Sequence, residues 1–236
     1  MSIISIDPQN QVLIRCPTVV RYLAREYVDK FFEDGTLRLT SFQALWKHAD
    51  EERRDELEGT SLVEIIAPGL PASLFSSRVV DETYVLCGMA YETWDNPFGH
   101  DAGIKIVDTV SFAIAVGNRL PGCLRTMQGP CNYRAEPIHR MLPHAARTLG
   151  EADSPSDFET KYAEFERLRQ REQFEGLFTK SSRYSSQCEY RILWGCGGQQ
   201  KEHVMLTCPE AVEFCQPIYK DLAEKDEIAA APPGSA

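Results

Sequence analysis

Apolar positions near the start of the chain recur at two different spacings. Steps of three and four predict a helix that opens at residues 17–18 and stops at Gly35. The apolar face of that helix consists of Val19, Val20, Leu23, Tyr27 and Phe31. Apolar and polar residues then alternate over residues 36–42, which predicts a strand with one solvated face. A short apolar segment at residues 11–15 predicts another strand ahead of the helix, so the predicted order is strand, helix, strand.

Residues 43–107 are predicted to contain further strands separated by polar segments. Residues 43–59 favour a helix that is dense in charge, and Pro and Gly residues predict a loop over residues 67–77. Apolar runs at residues 84–90 and 103–107 predict two strands. The aromatic, turn-rich segment between them, residues 91–100, is predicted to be a loop that holds a ligand or packs through its own rings.

Two helices are predicted after these strands. Asp108 or Thr109 is a candidate N-cap for the first helix, which is predicted to end at residues 120–122. Ser156 and Glu159 have the spacing of a capping box and predict the start of the second helix. The apolar stripe of the second helix, which we expect to pack on the core, consists of Phe158, Tyr162 and Phe165.

In the last third of the chain, successive side chains alternate clearly between two faces at one place. Residues 187–194 predict a strand, after a short polar turn at residues 178–180. One face of this strand would carry Cys188, Tyr190, Ile192 and Trp194, and the other Glu189, Arg191 and Leu193. A strand at residues 203–208 and a helical turn at residues 209–214 complete the pattern.

Helices and strands follow one another without a regular β-α-β alternation, which predicts the α+β class. We expect one domain over residues 8–222 and a disordered tail over residues 223–236. Hydrophobic residues make up 43% of the chain and charged residues 25%, which suffices for a real core. The sequence contains neither an apolar run of membrane-spanning length nor a secretory leader, so we expect a cytoplasmic protein without a membrane partner.

The eight cysteines contain no C-x-x-C pair, and the histidines are not grouped like ligands. This spacing argues against a metal site and against disulfides, and the thiols are expected to behave mainly as small buried apolar groups. Elemental analysis should therefore find no stoichiometric zinc, and the unfolded chain should titrate to eight free thiols.

The sequence lacks the phosphate-binding G-x-x-x-x-G-K-[ST] loop, the dinucleotide-binding G-x-G-x-x-G motif and the G-x-S-x-G elbow of acyl-transfer enzymes. Residues 28–42 contain a helix, a glycine and a leucine-bearing strand, and residues 87–106 a tryptophan-bearing loop before a Gly-Ile-x-Ile strand. Residues 180–194 place Glu189 in a strand. On these stretches the chain resembles the ADP-ribosyltransferase superfamily, and within it the DarT-like bacterial toxins and an uncharacterised bacterial family of the same layout.

The resemblance implies bent, split antiparallel sheets flanked by helices, and NAD as the substrate. It implies that Glu189 is the catalytic carboxylate, because a carboxylate beside the ribose stabilises the oxocarbenium ion that forms when nicotinamide leaves. An arginine would grip the pyrophosphate, and an aromatic side chain would face the nicotinamide. The further candidates are Arg54 as a catalytic residue and, for binding the cofactor, Arg15, Arg53, Asp55, Trp94 and Tyr184.

Plainer interpretations stay open at this point. Glu189 could be an exposed glutamate beside Arg191 on a half-wet strand, and Arg15, Arg54 and Asp55 could form surface salt bridges. The chain could equally be an inactive member of the fold that binds a nucleotide or a protein, an interaction module of a defence system, or a transferase that modifies proteins.

The acceptor is predicted from charge. The net charge of −10 disfavours non-specific attraction to nucleic acid, but residues 119–147 form a basic segment with Tyr133 inside it. Arg134 and Arg140 are its candidate contacts to RNA or single-stranded DNA. The segment could instead compensate the acidic helix at residues 159–175. The resemblance to DarT-like enzymes favours a nucleic-acid base as acceptor and a neutralising antitoxin protein as a partner.

Overall fold

A computed structural model describes residues 17–46, 60–65, 73–78, 83–94, 99–135, 138–141, 154–198 and 201–222. The predicted strand at residues 11–15 and the predicted tail at residues 223–236 lie outside these ranges. The chain forms a mixed fold in which a large antiparallel sheet is flanked by helices, in agreement with the predicted α+β class.

The elements follow the chain in this order. The first half forms strands β1 (Val19–Leu23), β2 (Thr36–Ser41), β3 (Thr60–Ile65), β4 (Ser73–Arg78), β5 (Thr83–Met89) and β6 (Ala102–Ile106), with helices α1 (Arg25–Asp34), α2 (Phe42–Trp46) and α3 (Thr109–Arg119). The second half forms strands β7 (Cys123–Pro130), β8 (Asn132–Arg134), β9 (Ile138–Met141), β10 (Thr179–Ser181), β11 (Glu189–Cys196), β12 (His203–Thr207) and β13 (Cys215–Tyr219). It also contains helix α4 (Pro155–Gly176) and the short 3₁₀ helices Ser182–Gln187 and Pro209–Phe214.

The predicted N-terminal helix begins later than expected. The chain is a strand over Val19–Leu23, and helix α1 starts only at Arg25. Strand β1 pairs with β5 on one edge and with β6 on the other, so these partners satisfy its backbone, and β-branched Val19 and Val20 suit a strand. The predicted stop is confirmed, because Gly35 adopts a left-handed φ of 76° and its N–H donates to the carbonyl of Phe31.

The large sheet forks at strand β5. Strand β11 pairs with one edge of β5 along its whole length. Because a strand has only two edges, β2 and β1 share the other edge: β2 pairs with Tyr84 and Val85, and β1 pairs with Met89. Residues 86–88 lie where the two arms diverge, one arm continuing through β2 to β12 and the other through β1 to β6 and β13. We call this place the fork.

Both faces of the sheet are covered. Helices α1 and α3 pack on one face, where the largest core cluster includes Phe31, Leu39, Ile104, Phe112, Val116, Ile192 and Trp194. On the other face a smaller cluster is formed by Phe42, Val85, Leu177 and Leu193, with Phe174 and Phe178 packed against it. Strand β11 lies between these clusters and pairs with β5 and β7, so all eight of its residues are buried.

The structure corrects four further predictions. The plainer interpretation of Glu189 as an exposed residue on a half-wet strand is wrong, since β11 is covered on both sides. Residues 179–181 form strand β10 rather than a turn, because they pair in parallel with β8. Residues 73–78 form strand β4 rather than a loop, paired with β3. Helix α4 begins at Pro155, and the cap is Ser154, whose hydroxyl accepts a hydrogen bond from the N–H of Asp157.

The predicted core stripe of that helix is also wrong in part. Phe158 and Tyr162 stack on each other with ring centroids 6.1 Å apart, and each is nearly half exposed. Other local predictions are confirmed: Asp108 caps α3 by accepting from the N–H of Ser111 at 3.0 Å. The strands at Thr83–Met89, Ala102–Ile106 and His203–Thr207 also lie close to their predicted positions. Within the described part of the chain, no helix is long and apolar enough to cross a membrane.

Candidate functional site

A buried cluster of charges occupies the start of strand β11. Glu189 Oε2 accepts a hydrogen bond from Lys180 Nζ at 2.5 Å, and Oε1 accepts one from Arg191 Nε at 2.6 Å. Side-chain exposure is 7% for Glu189 and Lys180 and 0% for Arg191, so this ion triad is shielded from water. We call these three residues the charge cluster.

Strand geometry explains how the cluster forms. Arg191 follows Glu189 by two positions, so both side chains leave the same face of β11. Lys180 belongs to β10, which runs parallel to β8 and pairs Lys180 with Tyr133. The Tyr133 hydroxyl in turn accepts from the N–H of Glu189 at 2.6 Å, which ties β8 to the start of β11. Arg191 is anchored further by donating to the carbonyl of Leu177 at 2.5 Å.

The electrostatics keep this carboxyl group ionised. Burial alone would raise the pKa of Glu189, but the charges of Arg191 and Lys180, with their hydrogen bonds, outweigh it and hold the pKa far below its usual value of 4.5. Burial raises the pKa of Tyr133 to about 12, against the opposing hydrogen bond from the Glu189 backbone. At neutral pH Glu189 is therefore a carboxylate, and the neighbouring Tyr133 is a neutral phenol.

Further polar side chains surround the cluster. The Cys131 thiol lies 3.7 Å from Glu189 Oε1, and Lys180 also donates to Gln187 Oε1 at 2.8 Å. The ring of Tyr184 is buried and its centroid lies 5.1 Å from Lys180 Nζ. The structure thus brings the predicted aromatic Tyr184 next to Glu189, with Lys180 between them.

The residue before Glu189 is strained. Cys188 ends the 3₁₀ helix at Ser182–Gln187 with a φ of 40°, the left-handed region that non-glycine residues avoid. Its backbone is held by hydrogen bonds in both directions: its N–H donates to Ser185 O at 3.2 Å, and its carbonyl accepts from Ala90 N at 3.1 Å. Strain of this kind concentrates at functional sites, and here it fixes the direction in which Glu189 enters the strand.

The fork holds an arginine that the sequence interpretation missed. Arg21 on β1 donates from Nη2 to the carbonyl of Arg38 on β2 at 3.1 Å, so it reaches across the fork. Its buried Nη1 has no hydrogen-bond partner among the described residues. Burial lowers the pKa of Arg21 to about 10, with Cys87 opposing and Arg38 adding to the effect. A guanidinium with one buried, unused donor atom suits an anionic group.

Trp94 packs beside the fork. Its ring meets the ring of Tyr22 edge to face with centroids 5.9 Å apart, and both side chains pack with Val20 and Met89. The register places Val20 opposite Met89, and Met89 opposite Glu189, in one row across three strands. The predicted aromatic residue Trp94 therefore belongs to the same face of the sheet as the charge cluster.

The other predicted site residues divide into two groups. Arg15, Arg53, Arg54 and Asp55 lie outside the described residues, so their roles stay predictions. Arg134 ends β8, directly after Tyr133, and Ser181 is its register partner. Arg140 belongs to β9 in a different sheet, where its register partner is Glu64.

Part of the predicted basic segment is engaged within the protein. Arg119 forms an ion pair with Glu210, and the guanidinium of Arg125 lies 4.8 Å from the ring centre of Phe174. These two arginines already make contacts within the protein, which weakens them as candidates for contacts to nucleic acid.

Sequence reasoning located Glu189 but not its partners. The spacing of Arg191 from Glu189 was a usable signal, because residues two apart share a strand face. Lys180, Tyr133 and Arg21 gave no local signal, since β-sheet pairing brings them to the site from distant segments.

Within the described ranges, no group of three or more His, Cys, Asp or Glu side chains is arranged to hold a metal ion. Comparison with known protein families, with curated proteins and with solved structures finds no match.

Proposed function

We propose that this protein is an NAD-dependent ADP-ribosyltransferase that transfers ADP-ribose to a nucleic-acid base, with Glu189 as the catalytic carboxylate. The observation that carries the proposal is the ionised Glu189 carboxylate on β11, one strand away from the fork in an antiparallel sheet. The forked sheet also supports assignment to a split-sheet fold of the ADP-ribosyltransferase type.

The chemistry of two parts of NAD, the ribose that carries nicotinamide and the pyrophosphate, fits this arrangement. Loss of nicotinamide leaves positive charge on the ribose, which a fixed carboxylate stabilises without first losing a proton. The pyrophosphate needs a cation, and Arg21 offers an unused buried donor at the fork. Glu189 and Arg21 lie on strands separated only by β5, so these strands are about 10 Å apart. Arg21 follows Val20 by one position and leaves β1 on the face opposite Glu189, so a dinucleotide that reaches both residues would have to pass through the fork. Arg15, Arg53, Arg54 and Asp55 remain further candidates for holding NAD.

The proposed acceptor rests on the position of Arg134. Strand β8 links it to the charge cluster through the neighbouring Tyr133. A base stacked near Tyr133 would thus approach the ribose from the side of the basic segment. A cytoplasmic toxin with this activity would also need a neutralising protein partner, so a gene encoded beside this one is the expected source of that antitoxin.

A second function is favoured by one specific observation. Both carboxylate oxygens of Glu189 already accept hydrogen bonds, and only 7% of its side chain is exposed. A carboxylate so engaged could simply stabilise the fold of an inactive module that binds a nucleotide or a protein. Such a module would gain stability from NAD without consuming it.

The test is the consumption of labelled NAD by the parent chain and by two matched variants. Glu189→Gln and Lys180→Gln both break the contact between Lys180 and Glu189, but only the first removes the carboxylate. Removing one member of a buried ion pair costs about 3–5 kcal/mol, so rates are compared per folded molecule, with the folded fraction taken from circular dichroism. We expect Glu189→Gln to lose about 10²-fold in rate or more and Lys180→Gln to lose clearly less.

Equal losses in the two variants would remove Glu189 from catalysis. A parent chain that NAD stabilises but that never releases nicotinamide would favour the inactive module instead.

The acceptor is tested in parallel reactions with single-stranded RNA, single-stranded DNA and total cell protein. We expect label in a nucleic acid, and charge reversal at Arg134 or Arg140 should reduce it. Label that appears only in protein contradicts the acceptor, while labelling that both reversals leave unchanged removes the basic segment from the mechanism.

A further inference from the structure

A pair of cysteines lies at the other end of strand β11 from the charge cluster. Cys196 ends β11 and is the register partner of Cys123, which begins β7. The register shifts at this place, because a β-bulge separates the pair from the regular ladder. Among the described strands, no other register pair joins two cysteines.

The geometry suits a covalent bond between them. Register partners in an antiparallel ladder have Cα atoms about 4.5–5.5 Å apart. The bulge takes this pair out of the regular alternation of faces, and the hydrogen bond between the Cys123 and Cys196 thiols shows that the two side chains meet. Disulfides require Cα separations of about 4.4–6.8 Å. The thiols are near enough to interact: burial first, and then the charge and hydrogen bond of Cys123, raise the pKa of Cys196 to about 11.

We propose that Cys123 and Cys196 form a disulfide when the protein meets hydrogen peroxide, which makes this thiol pair a redox modification site. Cys123 is partly exposed, whereas Cys196 is only 1% exposed, so the oxidant reaches Cys123 first. The inference is independent of the proposed transferase activity, because it uses none of the residues assigned to that site.

The chemistry proceeds in two balanced steps. The sulfur of Cys123 attacks one peroxide oxygen, the O–O bond breaks, and Cys123 becomes a sulfenic acid as one water leaves. The sulfur of Cys196 then attacks the sulfur of Cys123, the S–O bond breaks, and the hydroxyl leaves as a second water with the thiol proton of Cys196. The two thiols lose two electrons and two protons, and one peroxide becomes two waters.

The product would fasten the end of β11 to β7 at the bulge. Regular pairing already joins these strands up to Gly195, so the new bond would close the one place where the ladder is irregular. Sequence spacing gave no sign of this pair, since the cysteines belong to segments that only the sheet brings together.

The experiment counts thiols before and after peroxide treatment of the folded full-length chain. The protein is reduced, freed of reductant, exposed to hydrogen peroxide, quenched with catalase, unfolded and alkylated with N-ethylmaleimide. We expect eight alkylated cysteines before treatment, six after it, and eight again after dithiothreitol. Trypsin should release one disulfide-linked product that joins residues 120–125 to residues 192–201.

Three variants make the test specific. Cys123→Ala changes a partly exposed residue and should keep all seven of its remaining thiols, whereas Cys215→Ala, the matched control, should fall from seven to five. Cys196→Ala removes the buried member of the pair and should likewise form no disulfide. The proposal is overturned if the parent keeps eight thiols, or if it loses one irreversibly. It is equally overturned if Cys123→Ala still loses two thiols, or if the linked peptides contain other cysteines.

Discussion

Among the acidic residues that the structure describes, Glu189 is the most completely enclosed. The ion pair between Arg25 and Asp221 has a distance of 3.4 Å and side chains about half exposed, and pairs of that kind contribute about 0–1 kcal/mol. Glu189 is held instead by two buried cations, so loss of one partner leaves an uncompensated charge in a medium of low dielectric. Glu189→Gln is therefore isosteric but not electrostatically neutral, and we expect it to destabilise the fold.

Acid should reveal the contribution of Glu189 to stability. Its pKa in the folded chain lies below its usual value of 4.5, so its contribution is complete above about pH 4.5 and is lost as the pH falls toward the folded pKa. We expect the difference in free energy of unfolding between the parent and Glu189→Gln to shrink by about 1 kcal/mol from pH 7 to pH 3.5. Urea titrations at both pH values measure it.

Glu213→Gln is the control for the acid experiment, because it removes an exposed carboxylate from the second 3₁₀ helix. Its free energy of unfolding should stay close to that of the parent at both pH values. If the difference between the parent and Glu189→Gln is the same at pH 3.5 as at pH 7, the carboxylate of Glu189 is not held ionised as described.

Replacing an arginine that binds NAD should reduce the stability that the chain gains from NAD. NAD at a hundred times its dissociation constant stabilises a binding-competent chain by about 2.7 kcal/mol, and a tenfold loss of affinity removes about 1.4 kcal/mol of that gain. We expect smaller NAD-induced shifts in melting temperature for Arg15→Ala, Arg54→Ala and Arg21→Ala. Arg119→Ala serves as the control, since Arg119 is exposed and pairs with Glu210. Undiminished stabilisation of all three variants would mean that the pyrophosphate binds elsewhere.

The junction between helix α1 and strand β2 depends on one glycine. Gly35 combines a left-handed φ of 76° with close packing, since a Cβ built on it would lie 2.5 Å from the backbone carbon of Cys208 and 2.7 Å from its oxygen. The same segment is joined by a hydrogen bond from Cys208 N to Gly35 O at 2.9 Å. Gly35 therefore ends the helix and also lets the second 3₁₀ helix approach the sheet.

Alanine at this junction should be strongly destabilising. Gly35→Ala adds a left-handed strain of about 1–2 kcal/mol and a collision with rigid backbone of about 1–3 kcal/mol. Gly99→Ala separates the two effects, because Gly99 has a φ of 66° but no atom within 4 Å of the added Cβ. We expect the loss in free energy of unfolding, measured with urea, to be larger for Gly35→Ala. Equal losses would show that the backbone near Cys208 shifts to make room for the Cβ with no loss in free energy of unfolding.

The forked sheet organises the described part of the chain around strand β11. Both edges of β11 are paired and both of its faces are buried, whereas β13 lies at the end of one arm and is partly exposed. The charge cluster sits at one end of β11 and the thiol pair at the other, so the most enclosed strand connects the two features that carry chemistry.

Hydrogen exchange should rank the strands in the same way. Amide protons of Glu189–Cys196 can exchange only when the centre of the sheet opens, while those of Cys215–Tyr219 need only local opening at an edge. We expect peptides from β11 to exchange at least about tenfold more slowly than peptides from β13 in exchange followed by mass spectrometry. Comparable rates would contradict a sheet centred on β11.

Local signals in the sequence were sufficient for several elements. The apolar runs at residues 84–90 and 103–107 predicted β5 and β6, Asp108 predicted the cap of α3, and Gly35 predicted the end of α1. Each of these depends on neighbours within a few residues: the pleat of a strand, a side chain that reaches the third amide, or a glycine that accepts a positive φ. The α+β class followed from the same local patterns.

Partner strands decided the rest. Val19–Leu23 is a strand because β5 and β6 flank it, and Thr179–Ser181 is a strand because β8 runs beside it. Glu189 was visible in the sequence, but its burial was not, since the same alternation suits a half-wet edge or a strand covered on both faces. Burial, the ionised state of Glu189 and the meeting of Cys123 with Cys196 all depend on contacts between distant segments, and only the folded sheet sets those contacts.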